Sequence, residues 1–178
     1  MGTPREPRPA KYFVALLSPE IDLLSAIERE LVAALSEIDG RSEIMPWNES
    51  KFYEKEMGPG LRRRFLSLSN LASPQDLAAA KLKTQAIEAR HRAASSAGRR
   101  VNLDPGYVDT YKVVLASTKD AGQRIYLNSG IYGEATLLYH DGDFHGLPYT
   151  YPDYLWPVAR AFFAQLRAVY LDQLRQLG

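Results

Sequence analysis

Apolar and polar positions change period several times along the chain, and each change marks an element. Lys11 to Leu17 reads KYFVALL, a continuous apolar run with aromatic and β-branched residues. Such a run suits a strand covered on both faces, so a central place in a sheet is predicted. Ser18-Pro19-Glu20 then offers an N-cap with proline at the first helical position, and Leu24, Ile27, Leu31, Leu35 and Ile38 follow at helical spacing. Gly40 is the expected stop. Residues 41–47 read as a short extended piece, 48–61 as a polar loop, and Arg64 to Asn70 as a strand, because RFLSLSN alternates.

A second helix is expected from Ser73-Pro74-Gln75-Asp76, where Asp76 completes a capping box, to Ala97 with Gly98 as its stop. Its apolar stripe is thin, mainly Leu77, Leu82, Ile87 and alanines, which allows close packing on a sheet. Strand character returns at 101–103 and 110–118, separated by a turn at Asp104-Pro105-Gly106. Residues 123–127 and 131–140 predict a hairpin across a three-residue loop, Asn128-Ser129-Gly130, and Asp141-Gly142-Asp143 reads as another turn. The last helix, from about Tyr154 to Leu177, would bury Val158, Phe162, Leu166, Val169 and Leu174.

The order is β-α-β-β-α-β followed by a hairpin and a closing helix. It predicts an α+β fold of the ferredoxin-like βαββαβ type, with a mostly antiparallel sheet and helices on one face. Residues 1–10 are expected to form a flexible tail and 11–178 a single domain. This architecture hosts enzymes, RNA binders and dimerisation modules alike, so function has to be sought in side chains.

Composition narrows the choice. A hydrophobic fraction of 46% and a charged fraction of 24% exclude wholesale disorder and fibrous classes. With no cysteine, thiolate metal sites, disulfides and cysteine nucleophiles are excluded. There is no apolar run long enough to span a membrane, and Met1 to Pro9 lacks the apolar core of a secretory signal, so a cytoplasmic location is expected. The formal charge is only +1, but it averages unlike segments. Residues 18–50 hold two basic and eight acidic side chains, and residues 51–100 eleven and four. Attraction for an anionic partner is therefore local to 51–100.

Two polar segments carry candidate chemistry. Tyr53 to Arg64, YEKEMGPGLRRR, sets Glu54 and Glu56 beside two glycines and three arginines. Backbone N–H groups and guanidinium forks of this kind bind phosphate, although Pro59 donates no N–H and no phosphate-loop spacing occurs in the chain. A solvated basic strand edge is the plainer reading of the same residues. The second segment, around Asn102, Asp104, Tyr107, Asp109 and Lys112, adds carboxylates and a lysine that could serve as acid and base or hold magnesium. Lys119 lies at the end of the following strand. Tyr149, Tyr151, Tyr154 and Trp156 form an aromatic approach to the last helix, which suits a core cap and also a stacking wall. His140 and His145 flank a turn and read as solvent histidines rather than metal ligands. The two H-x-S/T motifs of the two-histidine phosphodiesterases and a serine nucleophile elbow are missing. With only Phe65 on the candidate RNA-binding strand, nucleic acid is a disfavoured partner.

The strings YEKEMGPGLRRRF, RRVNLDPGY, STKD, RIYLNSGIYGEATL and TYPDY together resemble an uncharacterised bacterial and archaeal family, the domain of unknown function DUF 4416. The likeness runs from KYFVALL to the C-terminal helix. Some members carry a GTP-binding label that the missing phosphate loop leaves unsupported, and the resemblance implies no activity, cofactor or catalytic residue.

The residues themselves point to a domain that binds, and processes if it is an enzyme, a small anionic or phosphorylated ligand such as a nucleotide. Arg63, Arg64, Lys112 and Lys119 would hold the anion, with Asn102 beside them. Glu54, Glu56, Asp104 and Lys112 would supply acid–base groups, and Tyr107 or Tyr151 would stack. No cofactor is required; magnesium, if used, would sit on Glu56 and Asp104. The alternative is a non-catalytic interaction module that forms a homodimer or docks a protein or RNA.

Overall fold

The computed structural model describes residues 2–92 and 98–177. Among the described residues four helices pack on a mostly antiparallel open sheet, an α+β fold. Strand β1 (Ala10–Ser18) is buried along its whole length and pairs antiparallel with β4 (Arg62–Ala72) on one side and β5 (Asn102–Val108) on the other. The continuous apolar run thus occupies the centre of the sheet, as its composition requires. Beyond β4 lie β2 (Ile38–Arg41) and the two-residue β3 (Met45–Pro46). Beyond β5 come β6 (Lys112–Ser117), β8 (Ile131–His140) and the edge strand β7 (Ile125–Asn128), with β9 (Asp143–Gly146) also paired to β8.

Both faces of the sheet are covered. Helices α1 (Ile21–Ala34) and α3 (Leu77–Arg90) lie on the face of Val14 and Leu16, where Leu24, Ile27, Leu31, Ile87 and Leu103 form one core. Helix α4 (Pro157–Gln176) lies on the opposite face, where Phe162, Phe163 and Leu166 meet Phe13, Ala15, Phe65 and Val113. The expectation of helices on one face is corrected. Alternation along β1 places apolar side chains on both sides, and each side needs a cover.

Several boundaries also differ from the sequence reading. Helix α1 ends at Ala34, and Gly40 stops no helix: it sits in β2, where a Cβ would lie 2.7 Å from Ser67 Oγ. The polar loop 48–61 contains helix α2 (Lys51–Met57), capped by Ser50, whose hydroxyl accepts from the Phe52 N–H. Helix α3 follows a short 3-10 turn and ends at Arg90 rather than at Ala97; the expected helical residues 93–97 lie outside the described residues. In α4 the buried stripe is Ala159, Phe162, Phe163, Leu166 and Tyr170, while Val158 and Val169 are exposed. The hairpin loops at Ser129-Gly130 and Asp141-Gly142 each have two residues, all with positive φ, as a type I′ turn demands. Asp143 starts β9 rather than ending a turn.

The largest correction concerns Asp104-Pro105-Gly106. These residues form no turn; they are the middle of β5, facing Ala15, Val14 and Phe13 of β1. Proline is tolerated because β5 meets β6 only from Gly106 onward, so Pro105 has no second ladder to serve. Gly106 is needed where the strands come close, since a Cβ there would lie 2.4 Å from the Val114 carbonyl oxygen and 2.5 Å from the Phe13 ring.

Candidate functional site

The ladder between β5 and β6 covers only Gly106–Val108 against Val113–Leu115, after which β6 continues against β8 as far as Ser117. The sheet therefore splits past Gly106, and the inner edge of β5 loses its strand partner. Side chains of α3 replace it. The Leu103 N–H donates to Glu88 Oε1 at 2.6 Å, and the Leu103 carbonyl accepts from Lys81 Nζ at 2.9 Å and Thr84 Oγ1 at 3.3 Å. Buried backbone groups need such partners, which explains why a buried helix face carries Lys81, Thr84 and Glu88. A cavity of about 340 Å³ opens at the split.

Polar side chains line it in connected pairs. At the most buried end, Arg63 Nε donates to Asp153 Oδ2 at 2.7 Å, and Trp47 Nε1 donates to the same oxygen at 3.0 Å. Arg63 Nη1 has no hydrogen-bond partner among the described residues. Lys81 Nζ reaches Asp104 Oδ1 at 2.8 Å, and the Asn102 amide donates to Asp104 Oδ2 at 2.6 Å. Nearer solvent, Arg99 holds both oxygens of Glu56 at 2.7 and 2.8 Å and donates to Asn102 Oδ1. Across the cavity Arg124 bonds Glu134 at 2.8 Å, the Lys119 carbonyl and the Tyr151 hydroxyl. Lys119 Nζ lies 5.1 Å from the centroid of the Phe52 ring. An aromatic wall, Trp47 edge-on to Tyr53 and Tyr53 edge-on to Phe52, runs between Arg63 and Lys119.

These contacts set the charge states. The Arg99 fork lowers the Glu56 pKa despite partial burial, with Lys119 and Arg92 acting in the same direction. Burial opposes ionisation of Asp104, but Lys81, Arg63 and Asn102 together outweigh it and hold its pKa below the usual value. Glu88 goes the other way: burial raises its pKa, and Lys81 offsets that only in part. Burial and then the Asp104 charge push the Tyr53 hydroxyl up to about 12. Arg99 is held cationic, chiefly by its hydrogen bonds to Glu56.

The family model of a domain of unknown function, DUF4416, matches residues 8–170. The chain belongs to this family. No curated protein and no solved structure matches it.

In this DUF4416 domain the two polar segments nominated from sequence meet: Glu56 from 48–61, Asn102 and Asp104 from 102–109, and also Arg63, Lys119 and Tyr151, all line the cavity. Four nominated residues lie elsewhere. Arg64 points to the α1 face and pairs with Glu28, because neighbours on a strand face opposite sides. Glu54 is outside the lining, Tyr107 packs on Tyr12, and Lys112 pairs with Asp109 at the far end of β6. Both carboxylates nominated for magnesium are occupied by cations, and among the described residues no three acidic or histidine side chains gather as a metal ion would need. His140 and His145 stack ring on ring, with centroids 3.9 Å apart.

The sequence reading missed Lys81, Glu88, Arg99, Arg124, Glu134 and Asp153. One signal was available: Lys81, Thr84 and Glu88 repeat the phase of Leu77, a polar continuation of a buried stripe. Arg99, Arg124 and Glu134 come from separate loops and strands and leave no common pattern in the chain.

Proposed function

We propose that the DUF4416 domain binds a small ligand bearing an anionic group, such as a phosphate ester, in the cavity between β5 and β6. The observation that carries this reading is the charge balance at the outer end of the cavity. Two carboxylates, Glu56 and Glu88, are faced by Arg99, Lys119 and Arg92, so positive charge is in excess by one beside a half-open polar space. Arginine forks and lysine heads of this kind select oxyanions. A nucleotide falls within the class, with Tyr53 and Tyr151 available to its base. Lys81, Asp104 and Glu88 lie in the same lining, which supports an acid–base role should the ligand be processed. The strand order β2-β4-β1-β5, with α1 and α3 on one face, supports a ferredoxin-like reading of the N-terminal half, and the remaining strands then add the second wall of the site.

A thermal-shift panel tests the proposal. Nucleotides, sugar phosphates and inorganic pyrophosphate at millimolar concentration, each with and without magnesium, should include ligands that raise Tm by several degrees. No shift across the panel would refute it.

One feature favours the alternative, an interaction module. Strand β7 is an edge whose Ile125, Tyr126 and Leu127 are exposed and which carries no charge of its own. Unguarded edges of this type accept another strand. Light scattering distinguishes the readings: a stable dimer lost on substituting Tyr126→Lys would favour association through β7.

A further inference from the structure

The contact at the outer end of the cavity has the form of the interaction it would make with a ligand. Arg99 presents Nε and Nη2 to the two oxygens of Glu56, the fork geometry by which guanidinium also takes a phosphate or carboxylate group. The third nitrogen, Nη1, is fixed by Asn102 of β5, so the fork is oriented from the sheet. Glu56 comes from the other side, on the seven-residue helix α2. This helix is followed by Gly58 and Gly60, both at positive φ and both with open space where a Cβ would be. Asn102 and Arg99 thus belong to the receiving side, and Glu56 rides on a short segment flanked by permissive backbone.

We infer that Glu56 is a built-in stand-in for the ligand's anionic group, and that a phosphate or carboxylate binds by displacing it from Arg99. The inference rests on the reading of the cavity as an oxyanion site and adds to it a named seat, Arg99 oriented by Asn102, and a competitor held in the same chain. A displaced Glu56 would not be stranded, since Lys119 and Arg92 both act on its carboxylate in the present arrangement. Both partners are about one-quarter exposed, so the ion pair exchanges with solvent ions rather than being locked in the interior. The bound ligand gains the fork and the protein loses one carboxylate–guanidinium contact, so affinity for small anions is weaker than the charge count alone would give.

The test uses the full chain and isothermal titration with inorganic pyrophosphate, and with succinate as a carboxylate of lower charge. Glu56→Gln should bind pyrophosphate about five- to tenfold more tightly than wild type, because the neutral amide competes poorly for the fork. Adding Arg99→Lys to Glu56→Gln should abolish that gain, since lysine keeps the charge but not the two-pronged geometry. Tighter succinate binding alone would assign the seat to carboxylates rather than phosphates, with the displacement intact. Equal pyrophosphate and succinate affinities in wild type and Glu56→Gln would overturn the displacement while leaving the oxyanion site standing. Absence of binding in every variant, with wild-type circular dichroism melts, would overturn both.

Discussion

Asp153→Asn isolates the contact at the buried end of the cavity. The Arg63 and Asp153 side chains are 6% and 2% exposed, and one carboxylate oxygen serves both Arg63 Nε and Trp47 Nε1. Asparagine keeps the shape and one acceptor oxygen but removes the carboxylate in contact with the guanidinium, leaving it only the weaker influence of Asp104. Burial already works against the Arg63 charge, and the Asp153 carboxylate is the main influence that restores it. Breaking a buried pair by removing one partner costs about 3–5 kcal/mol. For a chain of this length each kcal/mol moves Tm by roughly 2–4 °C, so a fall of roughly 6–20 °C is expected in calorimetry at pH 7. Adding Arg63→Met should recover most of the loss, because the stranded charge rather than the missing attraction is the larger cost. Asp172→Asn, which removes the exposed pair with Arg175, should leave Tm unchanged. A melt of Asp153→Asn within 2 °C of wild type would refute the argument that this pair is sealed from water.

Two further perturbations probe the split in the sheet. Gly106→Ala would force a Cβ against the Val114 carbonyl and the Phe13 ring, so a cost of about 1–3 kcal/mol is expected in urea unfolding; wild-type stability would show that β5 can move away from β6. Glu88→Gln tests the buried carboxyl that caps the free edge of β5. Its folded pKa is raised, so between roughly pH 4.3 and that raised value the folded state holds more protons than the unfolded state, and stability falls as pH rises through the window. The Gln variant lacks this slope and can still accept the Leu103 N–H. Its stability relative to wild type should therefore climb with pH and level off above the window, and a difference that stays flat from pH 4 to pH 8 would contradict the raised pKa.

The elements that were legible in the sequence are those whose pattern is long and local. KYFVALL announced a strand buried on both faces, and Leu24, Ile27 and Leu31 announced the inner face of α1. The site was half legible. Glu56, Arg63, Asn102, Asp104, Lys119 and Tyr151 stood out because polar residues crowd in short segments, yet Arg64 and Lys112 stood out equally and face elsewhere. Adjacent charges look alike in a string, whereas on a strand they point to opposite sides.

Local chemistry in the sequence determined that this chain is α+β, that β1 is central and that basic charge gathers in residues 51–100. Periodicity, β-branching and composition are properties of short windows, and they survive folding unchanged. Tertiary structure alone decided that Asp104-Pro105-Gly106 is strand rather than turn. Its turn preference is outweighed by a ladder to β1 on one side, and the proline is permitted because β6 is absent beside Asp104 and Pro105 on the other. The same split obliges a helix to bury Lys81, Thr84 and Glu88 and opens the cavity between two strands. Which edge lacks a partner depends on every strand in the sheet, and no single segment carries that information.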